Sequence, residues 1–152
     1  MAARGLVDPQ ITLRIVLEAP PRGVDFGIQK GRGSLFEVTQ KQRSTGGDLS
    51  FEFSVGVRNA DGSGTPDFSG PIVQGPRGGR FVYVDIGTVA GQLDTPWSRR
   101  LKVPLTGISA DQIRRATSSA GGVLSTRVPG TGKDGGPSCA SVKDFAGWSD
   151  RR

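Results

Sequence analysis

"LSFEFSVGVRN", residues 49–59, decides the fold class. Leu49, Phe51, Phe53, Val55 and Val57 fall on one side; Ser50, Glu52, Ser54, Gly56 and Arg58 fall on the other. The period is two, whereas a helix would repeat every ~3.6 residues, so the stretch is a strand with one buried face. A strand of this kind needs a second apolar layer over its phenylalanines.

The same period recurs on both sides. "QITLRIVLE" (10–18) puts Ile11, Leu13, Ile15 and Leu17 on one face, with Val16 the exception, and "APPRG" closes it. "VDFGIQK" (24–30) is a weaker strand ended by "GRG", and "SLFEVTQKQ" (34–42) places Phe36 and Val38 together. With "STGGD" between them, 34–42 and 49–59 read as a hairpin with a longish loop. "RFVYVDIG" (80–87) is apolar on both sides, which predicts a central strand covered on both faces. "WSRRLKVPL" (97–105) is a strand whose Pro104 argues for an edge or a bulge. "GVLSTRV" (122–128) is the last strand of any length. The segment 60–79, with three prolines and six glycines, is expected to form an ordered loop over one end of the sheet.

One helix is well signed within "GISADQIRRATSSAGG". Ser109 is the N-cap and Gln112 its capping-box partner, with Ile108 and Ile113 as the hydrophobic staple. Its thin stripe of Ile113, Ala116 and Ala120 suffices to lie against a sheet, and Gly121-Gly122 ends it. The expected architecture is all-β or mainly β: an antiparallel β-sandwich or flattened barrel of six to seven strands, with one short helix near 109–120. The alternative is an α+β single sheet covered by the helix. One domain is expected over 1–152, with 1–9 and 149–152 flexible and Phe145 and Trp148 the late apolar anchors.

Composition narrows the chemistry. Hydrophobic residues are 34%, and the 24 glycines and 10 prolines imply many turns. There is no histidine, which removes Ser-His-Asp and Cys-His catalysis and the histidine-containing zinc sites. Cys139 is the only cysteine, so neither an internal disulfide nor a cysteine cluster can form. No cofactor and no metal are therefore called for. The opening "MAARGLVDPQ" lacks the apolar core of a signal peptide, and no run approaches the ~18 apolar residues of a spanning helix. The expectation is a cytoplasmic protein without membrane attachment. The net charge of +6, with 15 arginines among the 20 basic residues, creates a field that attracts anions.

Four groups of residues could carry function. "RVPGTGKDGGPSC" (127–139) looks like a phosphate loop, yet Asp134 stands where the magnesium-binding hydroxyl belongs, Arg127 where the first glycine belongs, and no helix follows. What remains is a glycine-rich run in which Lys133 and backbone N–H groups could meet an anion. "GGRFVYVDI" resembles half of an RNA-recognition module: Phe81 and Tyr83 would stack on bases, with Arg77 and Arg80 on the backbone. The order of elements argues against it, because that module needs a helix soon after its first strand. Arg99 and Arg100 beside Trp97 could line an anionic ligand site or start a strand docked by its tryptophan. Asp85 shares a face with Tyr83 in the most buried strand, where a carboxylate needs a cationic or hydroxyl partner.

The runs "VDFGIQKG", "DFSGPIVQGP", "RFVYVDIGTVAGQ", "WSRRLKVPLTGI" and "GGVLSTRVPGTGKDGGPSCASV" together resemble a small bacterial protein family of unassigned function, over about Ile11 to Val142. That resemblance implies no reaction, cofactor or site residue. The residues themselves favour non-catalytic binding of an anionic small molecule or a protein partner, with Arg77, Arg80, Tyr83, Asp85, Arg99 and Lys133 as candidate ligand-binding residues. An enzyme without histidine or metal, working through Asp85 and Tyr83, is the second reading. Nucleic-acid association through a basic surface is the third, and a homodimer is a further option for the partner.

Overall fold

The computed structural model describes residues 10–30, 37–58, 67–70, 72–74, 80–89, 99–105, 108–118, 122–131, 140–141 and 147–149. Among these, in chain order, are β1 (Gln10–Glu18), β2 (Val24–Lys30), β3 (Glu37–Arg43), β4 (Leu49–Arg58), β5 (Asp67–Ser69), β6 (Val73–Gln74), β7 (Arg80–Val89), β8 (Arg99–Pro104), α1 (Ala110–Ser118), β9 (Val123–Pro129) and β10 (Ala140–Ser141). They form two sheets. Sheet A runs β5-β4-β1-β9; sheet B runs β10-β8-β7-β2-β3, with β6 also on β7. Seven strands are six residues or longer, three in sheet A and four in sheet B. The architecture is a β-sandwich with one helix, because the ladders fall into two separate sheets rather than one closed or single layer.

Alternation sets the register. In sheet A the apolar faces of β1 and β4 meet rung by rung, as Ile11↔Val55, Leu13↔Phe53, Ile15↔Phe51 and Leu17↔Leu49. On the other side β9 lies parallel to β1 and continues the layer with Leu124 beside Leu13 and Val128 beside Leu17. Sheet B answers with Phe26, Ile28, Val82, Val84, Ile86, Leu101 and Val103, all buried and all in one core with the sheet A residues. Each large side chain so buried contributes about 1.5–3 kcal/mol. β7 occupies the centre of sheet B, and its residues Val82 to Ile86 are all buried, as the two-sided apolar pattern predicts. Two ladders, β1–β9 and β8–β10, are parallel, so the sandwich is mostly rather than wholly antiparallel.

The expected hairpin of 34–42 with 49–59 does not form. β3 lies at the edge of sheet B and β4 in sheet A. The reason is apolar matching: within β3 only Val38 is apolar, while β1 offers a complete apolar row to Phe51 and its neighbours. β3 still serves β4 through its side chains. The Gln40 and Gln42 amides donate to the Glu52 and Ser50 carbonyls at 2.7 and 2.9 Å, capping the edge of β4 that faces away from β1. The expected loop of 60–79 contains two short strands instead, β5 on β4 and β6 on β7, and so carries the chain from sheet A to sheet B.

α1 packs beside β1 and β9, and residues 147–149 join it there. The capping box forms as its residues predict: Ser109 N–H donates to Gln112 Oε1 at 3.0 Å, and Gln112 N–H donates to Ser109 Oγ at 3.1 Å. Ile108, Ile113 and Ala116 face the core. Trp148 joins that core, and its indole N–H donates to the Pro104 carbonyl at 2.9 Å. Ser149 exchanges two backbone hydrogen bonds with Ser125 of β9, at 2.7 and 2.8 Å. Phe145, the other expected anchor, lies outside the described residues. Pro104 sits beyond the two residues of β8 that β10 covers, consistent with a strand close to the edge.

Candidate functional site

The outer face of sheet B departs from the usual sandwich pattern, in which that face is polar and solvated. Along β7, Val82, Val84 and Ile86 point into the core, which leaves Phe81, Tyr83 and Asp85 on the other side. Tyr83 is nevertheless 8% exposed and Asp85 0%; on neighbouring β2, Gln29 is 3% exposed. Polar side chains are thus withdrawn from water on a face that the core does not occupy.

Backbone register supplies the neighbours. Asp85 lies directly across from Gly27 on β2 and from Arg100 on β8. A buried carboxylate requires a cationic or hydrogen-bonding partner, and an arginine stands at the adjacent position. Gly27 is required by close approach: a Cβ there would collide with Val38 Cγ1 and lie 3.0 Å from the Thr39 carbonyl oxygen. One rung along, Tyr83 pairs with Lys102, whose Nζ lies 6.0 Å from the centroid of the Tyr83 ring. The Phe81 and Tyr83 rings are tilted by 38° with centroids 6.5 Å apart.

Of the six candidate binding residues, Tyr83 and Asp85 are brought together on this face. Arg80 has the strand parity of Val82 and Val84, opposite to Tyr83, and its carbonyl accepts from Leu105 N–H at 3.0 Å. Arg99 is across from Ile86, one position away from the residue that faces Asp85. Arg77 and Lys133 lie outside the described residues, as does Trp97. Gly27, Gln29, Arg100 and Lys102 are the additions that strand pairing makes. Their sequence signals are weak, since nothing in "VDFGIQK" or "RRLK" says which strand lies alongside.

The charge distribution bears on the ligand. Four arginines with described side chains are matched by carboxylates: Arg14 with Glu52 at 2.7 Å, Arg43 with Asp25 at 2.9 Å, Arg114 with Asp111, and Arg127 with both Glu18 at 2.8 Å and Asp48 at 2.7 Å. The hydrogen bond from Arg43 to Asp25 holds its guanidinium above the usual range, and Arg127 is raised in the same way by Glu18 and Asp48. Asp48 is held below the usual carboxylate range, first by the Ala19 N–H and then by Arg127. These exposed pairs are screened by water and add little stability, but they remove positive charge from the surface that a polyanion would track. Among the described residues no carboxylate forms an ion pair with Lys102. A nucleic-acid platform would also need an exposed Tyr83, and the ring is buried.

A family model described as a family of unknown function matches residues 11–151. The chain belongs to that family, DUF5990. Comparison with curated proteins and with solved structures finds no match. Membership in DUF5990 therefore brings no activity with it. Among the described residues no three cysteine, aspartate or glutamate side chains are placed to hold a metal ion, and no helix is long and apolar enough to cross a membrane.

Proposed function

We propose that this DUF5990 chain is a non-catalytic binding domain that recognises an anionic small molecule on the outer face of sheet B. The observation that carries the reading is Lys102: its ammonium stands 6.0 Å over the Tyr83 ring, half-buried, while four arginines elsewhere are occupied by carboxylates. The aromatic ring draws the cation to one place, and a rigid central strand holds the ring. Asp85 is fully buried, and its role in this reading is to support the outer face beside Tyr83 rather than to touch a ligand.

The test is a thermal-shift panel of phosphate, pyrophosphate, nucleotides and organic acids on the wild type and on Lys102→Glu. A ligand at a hundredfold its Kd adds about 2.7 kcal/mol to the native state. For a chain of this size that corresponds to roughly 5–10 °C in Tm. The expected result is a shift in the wild type that folded Lys102→Glu lacks, each read against the same protein's own unliganded Tm. A panel in which no anion moves the wild type, or in which Lys102→Glu shifts equally, overturns the proposal.

A further inference from the structure

The last described residues guard a strand edge. Sheet A ends at β9, and an edge strand presents alternate N–H and C=O groups to any other strand that approaches. On β9 the outward-facing positions are Val123, Ser125 and Arg127, since β1 takes the intervening ones. Ser149 fills the middle position with two backbone hydrogen bonds. Among the described residues Val123 and Arg127 have no backbone partner on that side. Pro129, with no N–H, ends the usable edge.

The guard is a short segment, residues 147–149, with ties to three elements. Trp148 Nε1 donates to Pro104 O of β8 at 2.9 Å, and Gln112 Nε2 of α1 donates to Trp148 O at 2.7 Å. Thr126 Oγ1 of β9 donates to Gly147 O at 2.9 Å. Gly147 has φ of +94°, the left-handed conformation that glycine adopts at no steric cost and that lets the chain turn along the edge. Among the described residues strand pairing covers one residue of β9, and Trp148 and these side-chain ties add to the segment's hold.

We propose that residues 147–149 are an autoinhibitory edge guard, and that releasing them lets β9 pair antiparallel with β9 of a second copy of this chain. The edge is self-complementary about Ser125. A two-fold axis there sets Ser125 against its counterpart in the same doubly hydrogen-bonded pairing it now makes with Ser149, and sets Val123 against Arg127 in both directions. The two Arg127 side chains are then never opposite each other, and each keeps Glu18 and Asp48 of its own chain. A longer foreign strand would gain nothing beyond Pro129.

The experiment is analytical ultracentrifugation of the full chain across a hundredfold range of concentration. The wild type is expected to sediment as a monomer, and Trp148→Ala as a concentration-dependent dimer of twice the mass. In that background Ser125→Pro removes one outward N–H of β9 and should raise the dimer dissociation constant at least tenfold. Because Trp148→Ala also empties part of the core, Ser149→Pro is read in parallel; it deletes the N–H that bonds to Ser125 while leaving the indole in place. The proposal is overturned if the wild type is already a dimer through β9, if folded Trp148→Ala and Ser149→Pro both remain monomeric, or if Ser125→Pro leaves the dimer unchanged.

Discussion

Gln112 performs two tasks with one amide, and separating them is the sharpest test of how the helix is fixed. Its Oε1 accepts from Ser109 N–H at 3.0 Å, which caps the helix, and its Nε2 donates to Trp148 O at 2.7 Å, which ties the helix to the end of the chain. Gln112→Ala removes both bonds, at about 1 kcal/mol each, and recovers a few tenths in helix propensity, for a net loss of about 1.5–2 kcal/mol. Gln112→Glu is more informative. The carboxylate keeps the cap and gains about 0.3–1 kcal/mol from its place in the first turn. It cannot donate to Trp148 O, and it sets an anionic oxygen against a part-buried carbonyl, which costs about 1–3 kcal/mol. The tie should prevail, leaving Gln112→Glu about 1–2 kcal/mol less stable than the wild type. Urea unfolding at neutral pH with an unchanged m-value measures this directly, and the melting temperature should fall by roughly 2–8 °C. If Gln112→Glu matches or exceeds the wild type, Gln112 acts only as a cap, and the chain end is not held through the helix.

Three further outcomes follow from single contacts. Gly27→Ala drives a methyl group into Val38 and should cost about 1–3 kcal/mol; combining it with Val38→Ala should cost at least about 1 kcal/mol less than the two changes added, and strict additivity in a double-mutant cycle would refute the close-approach account. The Asp48 pKa is depressed in the folded state, so the stability it contributes is present above its unfolded value of about 3.9 and is lost as pH falls through the lower folded value. The urea midpoint of Asp48→Asn should therefore decline less than that of the wild type between pH 6 and pH 3, and parallel declines would count against the Ala19 and Arg127 contacts. Phe51→Ala, at a fully buried position facing Ile15, should lose about 3–5 kcal/mol by calorimetry or urea unfolding; a loss below about 1 kcal/mol would mean that β4 does not pack as described.

Local information carried the elements of this chain a long way. The period-two rows of 10–18, 49–59 and 80–87 were sufficient for strands, because one face of each must leave water whatever its neighbours are. Ser109 and Gln112 were sufficient for the helix start, since the capping box closes within four residues and depends on no distant contact. The missing histidines and the solitary cysteine excluded whole classes of chemistry without any structure.

Partner choice between strands belonged to the tertiary structure. Which edge a strand joins depends on competition among apolar faces far apart in the chain; β4 chose β1 over adjacent β3 for that reason, and β1 took β9 as a parallel neighbour. The candidate site inherits the same limit. Tyr83 and Asp85 were visible as neighbours on one strand, but Gly27, Arg100 and Lys102 joined them only through register, and a shift of one residue would have moved each to the opposite face. The sequence alone therefore determined a β-rich chain with one capped helix and no histidine chemistry. Pairing decided that an aspartate would be buried on the outer face of the central strand, with cationic residues beside it.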